Sequence, residues 1–313
     1  MLTRVADSLY WLGRNIERAE TIARILDVNY TRAMDLYSMR DGRGEHLWRS
    51  VMRCAGFVAD PQLPAGGRVA AEVIAFCGLD HENPYSLRSS IRIARTNALG
   101  IRSELTSEVW ETVNALYLYA EEQEARSVLR SGPSKFLRRV RDAAHAFAGV
   151  TSETLTHGDR WSYLVVGRFF ERAYMTVRML DAVDIEREPW PEAQRLLEMC
   201  CAGEPFTQTV GHASEPRDVL EFLILHRQFP RSLHFCMRRV DEAMHAISGT
   251  PPDTFANDAE RRLGRARAML DYASIGDVLG GGLPAFGAAM REEFEALHAA
   301  ISASYQPGMV GAP

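Results

Sequence analysis

The sequence predicts an all-α protein, and three observations support that prediction. Apolar residues recur with helical spacing along most of the 313-residue chain, while the alternation typical of strands is scarce. Glycine or proline interrupts the pattern at short intervals. A segment near the N-terminus also returns near the middle of the chain. We therefore expect a helical bundle built from two duplicated halves that share one core.

The expected helices follow one another between these breakers. Asn83-Pro84, Gly132-Pro133 and Phe229-Pro230 each precede a stretch with helical periodicity. Residues 306–313 are small and contain Gly and Pro, so we expect a flexible tail there. In chain order, the predicted helices lie at about residues 3–38, 45–58, 67–78, 85–103, 105–130, 134–155, 159–184, 190–202, 215–226, 231–248, 254–272 and 284–304.

The repeated segment has the pattern G-R-x-x-E-R-A. It runs from Gly13 to Ala19 and returns from Gly167 to Ala173, at a constant offset of 154 residues, and the match continues to Arg24 and Leu26-Asp27, which return as Arg178 and Leu180-Asp181. A weaker match relates the Pro-x-Ser sequence ending at Ser86 to the one ending at Ser232, at an offset of 146. Because both matches keep their order, they indicate a duplication rather than one chance similarity.

The two halves are expected at about residues 1–155 and 156–305. No Pro/Ser-rich linker separates them, and the loops near the boundary are as short as elsewhere. We therefore expect a single helical domain over residues 1–305.

Composition excludes several classes of function. The net charge is −5, which gives no basic field for nucleic acid. No stretch approaches the roughly 18 apolar residues of a membrane span, and we expect no signal peptide at the N-terminus. The five cysteines form no C-x-x-C pair, so we expect reduced, mostly buried thiols in a cytoplasmic protein. No Gly-rich phosphate loop is present, and no cofactor is expected.

The repeated helix carries the candidate site. In its second copy, the residues around Arg168, Glu171 and Arg172 are apolar on almost every side, so these charges should be buried and paired. Two interpretations remain open. The clusters are ion networks that fix helix register, or they line a cavity for a carboxylate or phosphate. Anion-binding candidates are Arg14, Arg18, Arg168 and Arg172, and catalytic candidates are Glu17 and Glu171.

The Pro-x-Ser helices add further candidates. Ser232 follows a proline at a helix start, where N-capping is the default role for serine. An alternative is that this serine and nearby guanidinium groups bind an anion at the helix N-terminus. The arginines in question are Arg88, Arg92 and Arg95 in the first half and Arg231, Arg238 and Arg239 in the second, of which Arg92, Arg95 and Arg231 are the anion-binding candidates. All but one of the 36 basic residues are arginine, so any anion recognition here depends on guanidinium groups.

These residues resemble the bacterial alpha-E family. The similarity starts in the segment Leu2–Asp27, continues through Gly167–Ala173 and Phe229–Ser232, and reaches Tyr305. It covers nearly the whole chain. The family usually has glutamate where this chain has Thr96, an arginine where it has Leu99, and often an aspartate where it has His226. Roles that require a carboxylate at positions 96 and 226 are therefore not transferred.

The resemblance implies an all-helical protein that works with other enzymes. Family members are typically encoded beside a circularly permuted ATP-grasp protein and a transglutaminase-like protein, or fused to one of them. That association resembles an amidoligase or peptide-modification system acting on a peptide or acyl substrate. The resemblance leaves open whether the alpha-E chain is itself an enzyme.

The sequence is also compatible with two other functions. One is a non-catalytic interaction scaffold. The other is a carboxylate-bridged di-metal bundle, suggested by Glu242-x-x-His245 and Glu295-x-x-His298, although both pairs lie outside the repeated segment and the site prediction includes no metal.

Two structural expectations follow from the repeat. The two G-R-x-x-E-R helices should pack together at the centre of the fold. Glu171→Gln should destabilise more than Glu20→Gln, because Glu20 is expected at the surface.

Overall fold

The computed structural model describes residues 3–37, 43–56, 69–211, 214–252 and 254–305. Within these ranges the chain is helical and has no strand, which confirms the predicted fold class. The expected tail at 306–313 lies outside the described residues. In chain order, the helices are α1 (Thr3–Tyr37), α2 (Arg43–Ala55), α3 (Val69–Ile74), α4 (Leu87–Gly100), α5 (Ser107–Glu122), α6 (Ala125–Ser131), α7 (Ser134–Thr154), α8 (Asp159–Ala182), α9 (Pro189–Met199), α10 (Gly203–Val210), α11 (Pro216–Leu225), α12 (Leu233–Ser248), α13 (Asp258–Tyr272), α14 (Ile275–Val278) and α15 (Leu283–Tyr305).

Several predicted boundaries were wrong. The helix expected at 105–130 is two helices, because the chain is extended at Gln123 and Glu124. The helix expected at 67–78 ends in a π-helical turn, Ala75–Leu79. The helix expected from 254 begins at Asp258, where Asn257 caps it. Helices α10 and α14 were not predicted, since each is short and contains a glycine.

The helices of the two halves make the same pattern of contacts. In the first half, α1 packs against α4 and α7, and α5 packs against both. In the second half, α8 packs against α12 and α15, and α13 packs against both. Helices α1 and α8 make the most extensive contact among the described helices, and one hydrophobic core runs through both halves. The packing therefore matches the expected architecture, while the common origin of the halves stays a prediction.

The glycine of each repeated segment lies where α1 and α8 cross. A Cβ added to Gly13 would lie 2.5 Å from the carbonyl oxygen of Leu164. A Cβ added to Gly167 would overlap the carbonyl oxygen of Tyr10. Because a side chain at either position meets the backbone of the other helix, only glycine allows this approach. The first residue of the repeated motif is thus explained by packing alone.

Four of the five cysteines are buried, and all five are free thiols. This agrees with the expectation of mostly buried, reduced cysteines. No described helix combines the length and the apolar character that crossing a membrane requires.

Candidate functional site

The charged residues of the two repeated segments pair across the α1–α8 crossing. Glu171 on α8 accepts from two arginines of α1, with 2.7 Å from Arg14 Nε to Oε2 and 2.6 Å from Arg18 Nε to Oε1. The Glu171 carboxylate is fully buried. Each segment therefore supplies the partner that the other lacks, and the expectation that these helices pack together at the centre is confirmed.

Glu17 on α1 makes the reciprocal contacts. Arg172 donates through Nε and Nη2 to its two carboxylate oxygens, at 2.6 and 2.8 Å. Arg168 Nε lies 3.5 Å from Glu17 Oε2. A third guanidinium reaches Glu17, since Arg231 Nη1 lies 3.7 Å from Oε1. We refer to Glu17, Glu20, Glu171 and the arginines that contact them as the Arg/Glu network.

The Arg/Glu network extends one helical turn further along α1. Arg231 also donates to Glu20 at 2.8 Å, and Glu20 accepts from Arg24. His145 Nε2 lies 3.5 Å from Glu20 as well. The expectation that Glu20 is a surface residue was wrong, because its side chain is buried among these partners. Spacing in the sequence gave one signal of this, since positions 17, 20 and 24 share one face of a helix.

Burial and arginines oppose each other at the three carboxylates. Burial alone would raise the pKa of Glu171, but Arg14 and Arg18 outweigh it and lower this pKa to about 2. In the same way, Arg172 and Arg231 lower the pKa of Glu17 despite its burial. The pKa of Glu20 is lowered well below its usual value, because Arg231 and its other partners outweigh burial. All three carboxylates are therefore negative at neutral pH.

Neutral groups close the side of the network around Arg14. Burial, together with the neighbouring Arg14, lowers the pKa of His298 to about 4, so its ring is uncharged at neutral pH. Its Nδ1 lies 3.0 Å from the hydroxyl of Tyr10 and 3.3 Å from Arg14 Nη1. Burial raises the pKa of Tyr10 to about 12, so this hydroxyl keeps its proton.

Three other predicted site residues make different contacts. Arg92 donates to the carbonyl of His81, and Arg95 lies over the rings of Trp110 and Tyr117. Within the described ranges, no contact joins either arginine to the network. Ser232 caps α12 by accepting from the Phe235 amide at 3.1 Å, and its own proton goes to a backbone carbonyl. The geometry therefore favours the capping role for Ser232.

The di-metal alternative finds no support in the described part of the chain, where no group of three His, Cys, Asp or Glu side chains is placed to hold a metal ion. Glu242 is paired with Arg239 at 2.6 Å, and His298 faces Tyr10 and Arg14. The two Glu-x-x-His pairs thus contribute to separate contacts.

The Arg/Glu network contains more positive than negative groups. Six guanidinium groups surround three carboxylates in the described structure, and most of them are buried. Because uncompensated buried charge is costly, an additional negative group beside these arginines would stabilise the folded protein. The arginines are Arg14, Arg18, Arg24, Arg168, Arg172 and Arg231, and the glutamates are Glu17, Glu20 and Glu171.

A family model matches residues 1–305 of the chain, and it is described as a predicted alpha-helical domain with a conserved ER motif. The chain belongs to the Alpha-E family. Two Glu-Arg pairs, Glu17-Arg18 and Glu171-Arg172, lie at the centre of the network. In this Alpha-E protein, the glutamate of each pair binds arginines from the opposite helix.

Relatives of this Alpha-E protein occur in mycobacteria. Uncharacterized proteins of Mycobacterium bovis and Mycobacterium tuberculosis are 25% identical over 291 residues, which covers 84% of this chain and 32% of each relative. The chain thus spans about a third of the length of these relatives. No solved structure gives a significant match.

Proposed function

We propose that this Alpha-E protein is the helical component of an amide-forming system, in which the Arg/Glu network presents an anionic group to an ATP-grasp ligase. The partners would be a circularly permuted ATP-grasp protein and a transglutaminase-like protein, as the family resemblance implies. The anionic group would be a carboxylate or phosphate on a peptide or acyl substrate. We place this system in the cytoplasm, where ATP is available to the ligase.

The excess of buried guanidinium groups is the observation that supports this proposal most strongly. A purely structural ion network needs about as many carboxylates as arginines, because each uncompensated charge in a buried site costs several kcal/mol. Here three carboxylates serve six arginines. An anionic ligand would supply the missing negative charge, and guanidinium groups bind carboxylate and phosphate with matched geometry.

The glutamates are better suited to orient arginines than to transfer protons. A general base works best when its pKa lies near the operating pH. The pKa of Glu171 is about 2, because Arg14 and Arg18 outweigh the effect of burial. The pKa of Glu17 is also lowered, because Arg172 and Arg231 outweigh the effect of burial. We therefore propose presentation of the substrate by this chain and ATP-dependent activation by its partner.

Arg168→Lys tests this proposal. Lysine keeps the charge but loses the planar guanidinium fork. The variant should therefore fold and still bind the ligase, while product formation falls by about tenfold or more. Arg160→Lys is the matched control, because Arg160 lies on the same helix and forms an exposed pair with Glu104 at 2.5 Å. The reconstituted three-protein system is assayed for amide product, and co-purification with the ligase is measured in parallel.

Full product formation by folded Arg168→Lys would contradict anion presentation. It would leave the non-catalytic scaffold as the remaining function, provided that the ligase still co-purifies with the variant. Equal loss in both lysine variants would point to a general effect of removing arginines from α8, and it would also contradict the proposal.

A further inference from the structure

Two arginines at equivalent positions in the repeat have different surroundings. Arg14 is enclosed, because its guanidinium carbon lies 4.8 Å from the ring centroid of Trp11 and 4.7 Å from that of Phe170. Only 6% of its side chain is exposed. The equivalent Arg168 is 31% exposed. The network is therefore shielded from solvent at Arg14 and open to solvent at Arg168.

The open arginine has donors to spare. In the described structure, the single ion pair of Arg168 is the 3.5 Å contact between Nε and Glu17, and no hydrogen bond engages its two Nη groups. Burial lowers the pKa of Arg168, and the like charges of Arg172 and Arg231 lower it further. A negative group placed against this fork would relieve that repulsion and accept its free N–H groups.

A further arginine, from α12, lies against the same aromatic ring as Arg168. The guanidinium carbons of Arg168, Arg172 and Arg239 lie 5.4, 5.0 and 5.7 Å from the ring centroid of Phe169. Arg239 is partly exposed and donates to Glu242 through one Nη at 2.6 Å. Three cationic groups thus surround one aromatic ring, and two of them face solvent.

The local charge balance indicates what kind of anion fits. On this side of the network, Glu17 and Glu20 are surrounded by four arginines, which leaves two positive charges uncompensated. Arg238 and Arg239 share one further carboxylate, that of Glu242. A single carboxylate would neutralise only part of this excess. A phosphoryl group carries about −1.5 to −2 charges and several acceptor oxygens.

We infer that the open end of the network, at Arg168, Phe169 and Arg239, is a binding site for the phosphoryl group of a small molecule. This inference rests on the proposed function and narrows its anionic group to phosphate chemistry. The phosphoryl oxygens accept hydrogen bonds from the Arg168 guanidinium and from the free donors of Arg239. The buried pair of Arg172 and Glu17 forms the base of the site. Arg239 is thereby a specificity-determining residue that the repeated motif does not include.

Isothermal titration calorimetry at constant ionic strength tests this site. Three probes are compared: inorganic phosphate, acetyl phosphate and acetate. We expect the unmodified protein to bind phosphate about tenfold or more tightly than acetate. Arg168→Lys and Arg239→Gln should each weaken phosphate binding about tenfold, which corresponds to one charge-assisted hydrogen bond. Arg160→Gln, which removes an exposed arginine from the same helix, should leave it unchanged.

The outcomes separate this inference from the proposed function. Tight acetate binding that also depends on Arg168 would overturn the phosphoryl assignment and leave anion presentation intact. Absence of binding by all three probes would overturn both. Unchanged phosphate binding in Arg239→Gln would overturn the position of the site. Stronger binding of acetyl phosphate than of inorganic phosphate would support a phosphoryl group carried by a small molecule, and the reverse order would overturn that part of the inference.

Discussion

The two ends of the Arg/Glu network are built from the same seven-residue pattern and differ in their surroundings. At the Glu171 end, aromatic rings and a neutral histidine enclose Arg14. At the Glu17 end, the corresponding Arg168 is partly open to solvent and close to a further arginine from α12. The comparison teaches that one charged motif can be closed at a helix crossing in one copy and open to solvent in the other, where we propose a ligand site.

Removing the closed carboxylate should have the largest effect on stability. Glu171→Gln leaves Arg14 and Arg18 unpaired in a fully buried position, and breaking a buried pair costs about 3–5 kcal/mol. The control is Glu198→Gln, because Glu198 is half exposed and pairs with Arg32, so the expected loss is under about 1 kcal/mol. Urea denaturation gives both free energies of unfolding. Similar values would mean that the Glu171 end is not a structural centre.

Acid should destabilise the closed end in two steps. His298 has a folded pKa of about 4 against an ordinary 6.5, so the unfolded chain takes up this proton first and stability falls between pH 6.5 and 4. Glu171 has a folded pKa of about 2 against 4.5. Its contribution is present above pH 4.5 and is lost as the pH falls towards 2, where each pKa unit corresponds to about 1.4 kcal/mol.

Two variants show which group causes each step in the dependence of stability on pH. Unfolding free energies are measured from pH 7 downward. We expect His298→Gln to flatten the upper step. Glu171→Gln should reduce the lower step without abolishing it, because the pKa values of Glu17 and Glu20 are lowered as well. A profile that both variants leave unchanged would show that other groups govern the acid sensitivity of the fold.

The helix crossing gives a prediction that concerns both ends. A methyl group at Gly167 would overlap the carbonyl oxygen of Tyr10, so α1 and α8 must separate, and overpacking of this kind costs about 1–3 kcal/mol. Gly149→Ala is the matched control, because a Cβ there meets no atom within 4 Å and alanine favours a helix. We expect opposite shifts of the melting temperature, and a stabilising Gly167→Ala would contradict the described crossing.

Much of the fold could be predicted from the sequence, because helical periodicity and breakers are local properties. The capping of α4 and α12 by Ser86 and Ser232 was accessible for the same reason. The split between α5 and α6 was not, since no glycine or proline lies at Gln123 or Glu124. A tertiary contact lies at this break, since Arg88 donates to the Gln123 carbonyl, and such contacts leave no local signal in the sequence.

The site was predictable in part. The charged pattern on an apolar helix identified Glu17, Glu171 and their arginines, because buried charges need partners. The extension to Glu20 and Arg24 was missed, since the first copy of the helix alone reads as amphipathic and places Glu20 in solvent. The asymmetry between Arg14 and Arg168 depends on His298 and Arg239, which are distant in the sequence.

The unfolding free energies of Arg14→Lys and Arg168→Lys, measured without ligand, test the central claim most directly. Lysine at position 14 loses the Tyr10 contact or the Glu171 contact inside an aromatic enclosure, and we expect a loss of about 1.5–3 kcal/mol. At position 168 the contact is long and partly exposed, so the expected loss is under about 1 kcal/mol. Arg14→Lys should therefore be clearly the less stable variant. Equal losses, or a larger loss at position 168, would contradict the division into a closed structural end and an open binding end.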